Sequence, residues 1–204
     1  MGLSGYQTTW QAMKDFTHGR NAQTRDEIWL LQHPPVFTQG IAGKPEHLLH
    51  NAGITLIKTD RGGQITYHGP GQIVAYLLLD IRRLKLRVRE LVRCMENAVI
   101  DLLKDYHIDA VARIEAPGVY VGKAKIAALG LKVRKNYCYH GIALNVDMDL
   151  TPFSYINPCG YKGLQVTQTK DLGIADGLEI LSIKLADQLQ EKLLKGLSTN
   201  HYDH

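Results

Sequence analysis

The sequence has little cysteine and no long apolar run. Its 204 residues include 3 cysteines, an odd number with no C-x-x-C spacing, which argues against a disulfide scaffold. The longest apolar run, Ile73 to Ile81, has the length of a strand rather than of a membrane span. The first residues lack the basic-then-apolar pattern of a secretory signal. We therefore expect a cytoplasmic protein that does not enter a membrane.

Several binding signatures are also missing. No glycine-rich stretch continues into G-K-[ST], and none is followed by a helix as in a dinucleotide-binding fingerprint. No His, Cys, Asp or Glu set has metal-ligand spacing, so we expect neither a metal nor another cofactor. A net charge of +4, without a helix-turn-helix signal or a basic-aromatic stripe, gives no support for nucleic-acid binding.

The composition that remains is that of a globular protein. Hydrophobic residues make up 45% and charged residues 22%, and 204 residues suit one compact domain, which we expect to span residues 1–204. Apolar residues at helical spacing predict three helices, whereas short apolar runs bounded by Gly or Pro predict strands. The predicted helices are Trp10 to Thr17, Val88 to Tyr106 and Leu178 to Leu193. The predicted strands are Glu27 to Gln32, Thr55 to Asp60, Gln72 to Asp80 and antiparallel strands within Gly118 to Val146.

These elements mix without strict βαβ alternation. We therefore expect an α+β fold, with one mixed but mainly antiparallel sheet and helices packed against it. The run Gln72 to Asp80 is apolar almost throughout, which indicates a central strand buried on both faces.

The segment Arg61 to Gln72 (RGGQITYHGPGQ) is rich in Gly and Pro and directly precedes that strand. It can be read as a tight loop that needs positive φ angles, or as a loop whose backbone approaches a ligand closely. The large polar side chains Tyr67 and His68 between the glycines favour a ligand.

Lys125 lies in the strand-like run KIAALGLKV, on the same face as Ala127, Leu129 and Leu131. A lysine on an apolar face either extends its ammonium outward or is kept inside because the chemistry uses it. The small residues nearby leave room for an apolar ligand. The run His140 to Asn145 (HGIALN) has a similar small-residue step and is a plausible pocket wall.

Cys159 differs from the other two cysteines. Cys94 lies on an amphipathic helix and Cys138 in a strand, where small buried side chains are common. Cys159 stands between Pro158 and Gly160, which indicates a loop, and functional residues concentrate in loops.

Together these segments resemble the lipoyl(octanoyl) transferase family, a branch of the biotin and lipoate protein ligase superfamily. The resemblance covers nearly the whole chain. The matching segments are HPPVFTQG from His33, RGGQITYHGPGQ from Arg61, APGVYVGKAKIAALGLKVRK from Ala116, HGIALNVDMDL from His140 and INPCGY from Ile156. Five such segments in this order are a specific signal.

The resemblance implies roles for particular residues. The cysteine that matches Cys159 forms an acyl-thioester, and the lysine that matches Lys125 lowers the pKa of that thiol. The residues implied to hold the acyl group are Arg61, Gly62, Gly63, Gln64, Ile65, Thr66, Tyr67, His68, Ala128, Leu129, Gly130, Gly141, Ile142 and Ala143.

The resemblance also implies partners. The donor would be octanoyl-acyl carrier protein, and the acceptors would be lipoyl domains of 2-oxoacid dehydrogenases and the glycine cleavage H protein, served by a monomer. The alternatives are an ATP-dependent lipoate or biotin ligase, an amidotransferase that passes lipoyl groups between proteins, and a non-catalytic acyl-binding module. Six basic residues between Arg82 and Arg93 form either a solvated face or a docking patch for the acidic carrier.

Overall fold

The structure is a computed structural model that describes residues 2–157 and 163–199. Within these residues three α-helices and nine β-strands alternate irregularly. The helices are α1 (Tyr6–Gly19), α2 (Val88–Lys104) and α3 (Leu178–Thr199). The strands are β1 (Glu27–Leu31), β2 (Val36–Gln39), β3 (Leu56–Lys58), β4 (Ile65–His68), β5 (Gln72–Asp80), β6 (Val111–Ala112), β7 (Gly118–Val121), β8 (Ala124–Arg134) and β9 (Tyr137–Asn145).

The large sheet has six strands in the order β1-β5-β9-β8-β7-β6, and every neighbouring pair is antiparallel. Strand β5 is an interior strand paired with β1 and β9, and all nine of its residues are buried. Its odd-numbered side chains, such as Ile73 and Leu77, pack under α2 and α3, and its even-numbered side chains, such as Val74 and Tyr76, pack under α1. The predicted two-sided burial of this strand is therefore confirmed, as is the α+β class.

A second sheet of three strands, in the order β3-β2-β4, corrects the expectation of a single sheet. Strands β2 and β3 are parallel, and β2 and β4 are antiparallel. This sheet also corrects the reading of Arg61 to Gln72 as a continuous loop, because β4 occupies its middle. Four-residue strands between glycines and prolines give little periodic signal, and the β2–β4 pairing joins residues nearly thirty positions apart.

Helix α2 begins at Val88 and is capped by Arg87, whose backbone N–H donates to Glu90 Oε2 at 2.6 Å. Its apolar stripe packs on the large sheet and on α3. The helix ends at Lys104, two residues before the predicted Tyr106, and the chain then turns through His107 at a φ of +60°. Among residues 2–157 and 163–199 no helix is both long and apolar enough to cross a membrane.

Candidate active site

A pocket lies between strands β8 and β9 and the segment 61–68, which rests on them. The backbone N–H of Gly62 donates to the Leu131 carbonyl at 2.8 Å and holds that segment against β8. The pocket contains about 500 Å³ of space when its open mouth is included. Its lining consists of Tyr6, Arg61, Gly63, Gln64, Ile65, Thr66, His68, Val74, Tyr76, Ala128, Leu129, Gly130, His140, Gly141, Ile142 and Ala143.

The lining brings together the three separate segments that the sequence marked as acyl-binding. All of those residues line the pocket except Gly62 and Tyr67. Gly62 faces an adjoining groove beside Val88 and Val92 of α2. Tyr67 is buried in the small core under the second sheet, where its ring meets Phe37 and Phe153. The strand alternation of β4 explains this placement, because Tyr67 points opposite to Thr66 and His68.

The carboxylate of Asp60 organises one polar side of the pocket. It accepts hydrogen bonds from Trp10 Nε1 at 3.0 Å, from His140 Nε2 at 3.1 Å and from the Tyr139 hydroxyl. Burial alone would raise the pKa of Asp60, but these hydrogen bonds outweigh it and hold the pKa well below its ordinary value. Burial lowers the pKa of His140, so its ring is neutral, and its Nδ1 has no partner among the residues that the structure describes.

A second polar group lies deeper, around His33 and His68. His33 Nδ1–H donates to the Ser4 carbonyl at 2.6 Å, and its Nε2 accepts from the Tyr76 hydroxyl at 2.7 Å. His68 Nδ1–H donates to Gln72 Oε1 at 2.8 Å. Burial lowers the pKa of His33 to about 4 and that of His68 to about 3, so both rings are neutral. Within residues 2–157 and 163–199 no three His, Cys, Asp or Glu side chains are arranged to hold a metal ion.

Sequence reasoning missed three lining residues, Tyr6, Val74 and Tyr76, and treated His140 only as part of a wall. Tyr6 lies at the start of α1, where no local pattern distinguishes it from a core residue. Val74 and Tyr76 lie inside the apolar run of β5, and only their alternation toward α1 could have separated them from the opposite face. Burial raises the pKa of the Tyr6 hydroxyl to about 12.

The Arg61 side chain maintains the shape of the pocket wall. Its Nη2 donates to the Thr38 carbonyl at 2.6 Å, to Thr38 Oγ1 at 2.8 Å and to the Gln64 carbonyl at 2.8 Å. The side chain is 7% exposed. Arg61 thus fastens residues 61–64 to β2 of the second sheet, together with backbone hydrogen bonds from residues 40–42.

Lys125 is buried near the start of β8, with 3% of its surface exposed. Its Nζ donates to the Pro117 carbonyl at 3.1 Å and lies 5.2 Å from the centroid of the Tyr120 ring. Of the two readings of this lysine, outward extension is therefore wrong. Ala128 in the pocket wall lies three positions further along β8, about 10 Å along the strand.

Cys159 and its neighbours 158–162 lie outside the described residues. The chain on either side of them is held by backbone hydrogen bonds. Asn157 N–H donates to the His47 carbonyl at 2.8 Å, and Lys125 N–H donates to the Gln165 carbonyl at 2.8 Å. Val166 forms a parallel bridge with Lys125. The chain that leaves the Cys159 segment thus runs directly beside the buried lysine. The other two cysteines, Cys94 and Cys138, lie in α2 and β9, as their sequence context predicted.

Comparison with known proteins identifies the family of this chain. The model of the lipoyl protein ligase A/B catalytic domain matches residues 5–186. The chain belongs to the lipoyl protein ligase A/B catalytic-domain family. This confirms the superfamily expected from the five segments, and the match includes the pocket, Lys125 and the residues on both sides of Cys159.

Curated relatives within this family are closely similar in sequence. The octanoyltransferase of Nitrosospira multiformis is 68% identical over 188 residues, which cover 92% of this chain and 87% of that protein. The octanoyltransferase of Nitrosomonas europaea is 66% identical over 193 residues, which cover 95% of each chain.

Solved structures of the family share the fold at low sequence identity. The chain matches a lipoate-protein ligase A bound with ATP with a TM-score of 0.78 at 16% identity, over 95% of this chain and 83% of that one. A putative lipoate protein ligase from T. acidophilum gives a TM-score of 0.77 at 17% identity, with the same coverage. At these identities the likeness shows the fold alone.

Proposed function

We propose that this enzyme transfers an octanoyl group from a carrier thioester to a lysine of a lipoyl domain, with Cys159 as the covalent intermediate. The observation that carries the proposal is the buried Lys125 ammonium. The backbone of Lys125 pairs with the chain that leaves the Cys159 segment, and it lies about 10 Å along β8 from the wall of an apolar pocket. The closely similar octanoyltransferases support the same reaction.

In the first half-reaction the Cys159 thiolate attacks the thioester carbonyl, and the bond between that carbonyl and the carrier sulfur breaks. The carrier thiolate leaves with a proton from the Lys125 ammonium, which becomes neutral. A thiol with a pKa of about 8.5 is only roughly 3% ionised at pH 7, whereas a pKa of about 6 gives roughly 90%. A nearby ammonium stabilises the thiolate and lowers the pKa in this way. Lys125 supplies that positive charge.

In the second half-reaction the acceptor amine attacks the Cys159 thioester. The new C–N bond forms, the C–S bond breaks, and the amine loses a proton. Lys125 in its neutral form accepts that proton as a general base, and the thiolate is restored. Because a thioester is already activated, the two half-reactions need no ATP. This agrees with the absence of a Walker motif from the amino-acid sequence.

The pocket holds the acyl tail. Twelve of the fourteen residues expected to hold the acyl group line it, and only Gly62 and Tyr67 do not. At about 0.8 kcal/mol per buried methylene, an octanoyl tail contributes roughly 5 kcal/mol of binding free energy. The same lining includes polar atoms of Tyr6 and His140, which limit the hydrocarbon that can be buried without desolvating polar groups.

The partners follow from the reaction. The donor is octanoyl-acyl carrier protein, and the acceptors are lipoyl domains of 2-oxoacid dehydrogenases and the glycine cleavage H protein. The chain acts as a single catalytic domain and as a monomer. An ATP-dependent ligase on the same fold is not favoured, because its support is a structural likeness at 16% identity, whereas the octanoyltransferases are 66–68% identical.

The test is incubation of the chain with an octanoyl thioester, followed by intact-mass measurement and peptide mapping. The expected result is one added octanoyl group on Cys159, formed without ATP and lost when a lipoyl domain is added. A non-catalytic acyl-binding module would gain no covalent group. A ligase would modify the lipoyl domain only when ATP and the free acid are supplied.

A further inference from the structure

The peptide group between Pro117 and Gly118 lies between two oppositely charged side chains. Its carbonyl accepts a hydrogen bond from Lys125 Nζ at 3.1 Å, and its N–H donates to Glu96 Oε1 at 3.3 Å. Because the peptide group is planar and rigid, the positions of its two polar ends are coupled. The carboxylate on α2 and the ammonium on β8 are thus joined through one amide.

The backbone at Gly118 leaves no room for a side chain. Gly118 has a φ of +147°, in the region that favours glycine. A Cβ placed there would lie 2.8 Å from the Ala127 carbonyl oxygen and 2.9 Å from Lys125 Cε. The lysine side chain therefore packs directly on the Gly118 backbone, and a shift of this peptide group would displace the ammonium.

Glu96 is unusual on the buried side of α2. It is 7% exposed, and every other buried residue of the helix is apolar. A carboxyl in such a place destabilises the fold unless hydrogen bonds or charges compensate for its desolvation. Burial raises the pKa of Glu96, and the Gly118 N–H, Arg93 on the same helix and Lys125 on β8 act in the opposite direction.

We infer that Glu96 is a positioning residue for Lys125, acting through the Pro117–Gly118 peptide. The inference rests on the proposed function, in which Lys125 sets the reactivity of Cys159. The carboxylate fixes the N–H of the peptide, strengthens its carbonyl as an acceptor and so keeps the ammonium in place.

Other charged and aromatic side chains lie close to Glu96 and Lys125. Arg93 acts on Glu96 from one turn earlier on α2. The Tyr120 ring contacts two cations, with Lys125 Nζ 5.2 Å and the Arg113 guanidinium 4.2 Å from its centroid. The Tyr120 hydroxyl donates to the Ala116 carbonyl at 2.9 Å, which holds the segment before Pro117 in place.

The test compares Glu96→Gln, which keeps an oxygen acceptor without the charge, with Glu96→Asp, which keeps the charge on a shorter side chain. The exposed Glu179→Gln on α3 is the matched control. The readouts are the alkylation rate of Cys159 against pH, followed by peptide mapping, and the split between kcat and KM with a small octanoyl thioester. Thermal unfolding shows that each variant is folded.

We expect Glu96→Gln to raise the Cys159 thiol pKa by about one unit and to lower kcat about tenfold, with little change in KM. Glu96→Asp should give a smaller shift, and Glu179→Gln none. In a Lys125→Ala background, Glu96→Gln should leave the thiol pKa unchanged, because its effect passes through the lysine. A purely structural role would change unfolding without this dependence on Lys125.

Two results would overturn the inference. One is a thiol pKa and kcat for Glu96→Gln equal to wild type; the other is an equal shift in the presence and absence of Lys125. Failure of the proposed function would give a different result, because the wild-type enzyme would then form no acyl adduct on Cys159. The variants differ by few atoms from glutamate, so at least one is expected to fold.

Discussion

Gly130 on β8 lies directly opposite Gly141 on β9, and neither position has free space for a side chain. A Cβ on Gly141 would lie 2.1 Å from the Ala75 carbonyl oxygen of the neighbouring strand, and one on Gly130 would lie 3.1 Å from the Gly62 carbonyl oxygen. The pair thus allows β5 to approach from one side and the segment 61–68 from the other.

Replacement of Gly141 by Ala should destabilise the protein. The added methyl group meets backbone atoms that cannot rotate away, so the strands must move apart, at a cost of about 1–3 kcal/mol. Urea unfolding measures this difference. Gly53→Ala is unsuitable as a control because of its positive φ, whereas Gly19, with open space around it, provides one. Equal unfolding free energies for Gly141→Ala and wild type would contradict the close approach.

Cys159→Ala should abolish both the acyl adduct and turnover, because no other thiol can take its place. Cys138 is fully buried in the core, and burial raises the pKa of its thiol to about 12. Cys94→Ala and Cys138→Ala should therefore retain near wild-type transfer, although Cys138→Ala should unfold more easily. Mass spectrometry and a transfer assay provide the measurement. Robust transfer by Cys159→Ala would eliminate the covalent mechanism.

Lys125→Ala should move the Cys159 thiol pKa upward, toward about 8.5, because the stabilising ammonium is gone. The rate of alkylation against pH gives the thiol pKa in each protein. Lys123→Ala, an exposed change two residues earlier, is the matched control. Overlapping curves for wild type and Lys125→Ala would mean that the lysine has another role.

Acidification should weaken the fold through His33. Its pKa is about 4 in the folded protein, against an ordinary value of 6.5, because burial disfavours the charged ring. The unfolded chain therefore binds a proton at a higher pH than the folded chain. The stabilisation is complete above about pH 6.5 and is lost as the pH falls to about 4, with an upper limit of about 3 kcal/mol.

Urea unfolding between pH 7 and pH 4 measures this dependence. His33→Gln should show a shallower decline than wild type, whereas the exposed His50→Gln should show the same decline. An unchanged slope in His33→Gln would assign the acid sensitivity to other groups, of which His68 is the nearest, with a pKa of about 3.

Six exposed basic residues around the start of α2 form a surface that we name the basic surface: Arg82, Arg83, Lys85, Arg87, Arg89 and Arg93. The structure adds the β8–β9 hairpin to its edge, because Ile81 N–H donates to the Asn136 carbonyl at 2.9 Å beside Arg134 and Lys135. Long-range attraction to an acidic carrier would raise the rate of encounter without altering the chemical step.

Reversal of Arg82, Lys85 and Arg89 to Glu should therefore raise the KM for octanoyl-acyl carrier protein, most strongly at low salt. Arg83 is left in place because it binds the Ala22 carbonyl and Asp26. Transfer from a small octanoyl thioester should barely change. The matched control reverses three exposed lysines elsewhere, namely Lys44, Lys58 and Lys104. If both triple variants change the KM equally, the basic surface is an ordinary solvated face and not a docking site.

Much of the large sheet could be predicted because its signals are local. The apolar run of β5 and the helical spacing of α2 each lie within fewer than twenty consecutive residues. The second sheet could not be predicted in the same way, because Val36 meets His68 only after the intervening chain has folded.

The same distinction applies to the site. The glycine segment and the small-residue steps of β8 and β9 are visible in the sequence, whereas Tyr6 and Tyr76 enter the pocket from elements whose patterns indicate only a core. Periodicity places Lys125 on an apolar face but does not say whether its long side chain stays inside. The Glu96 contact depends on the backbone of Gly118, more than twenty residues away, and has no sequence signal of its own.

The two-sided burial of β5 has one more consequence. Val74 and Tyr76 belong at once to the cluster under α1 and to the lining of the pocket, so the pocket is bounded by the same packing that holds the protein together. An octanoyl chain bound there would pack against core residues as a buried side chain does, and it would leave with the product. Each catalytic cycle would then fill and empty part of the core, and the acylated enzyme would be the more tightly packed of its two forms.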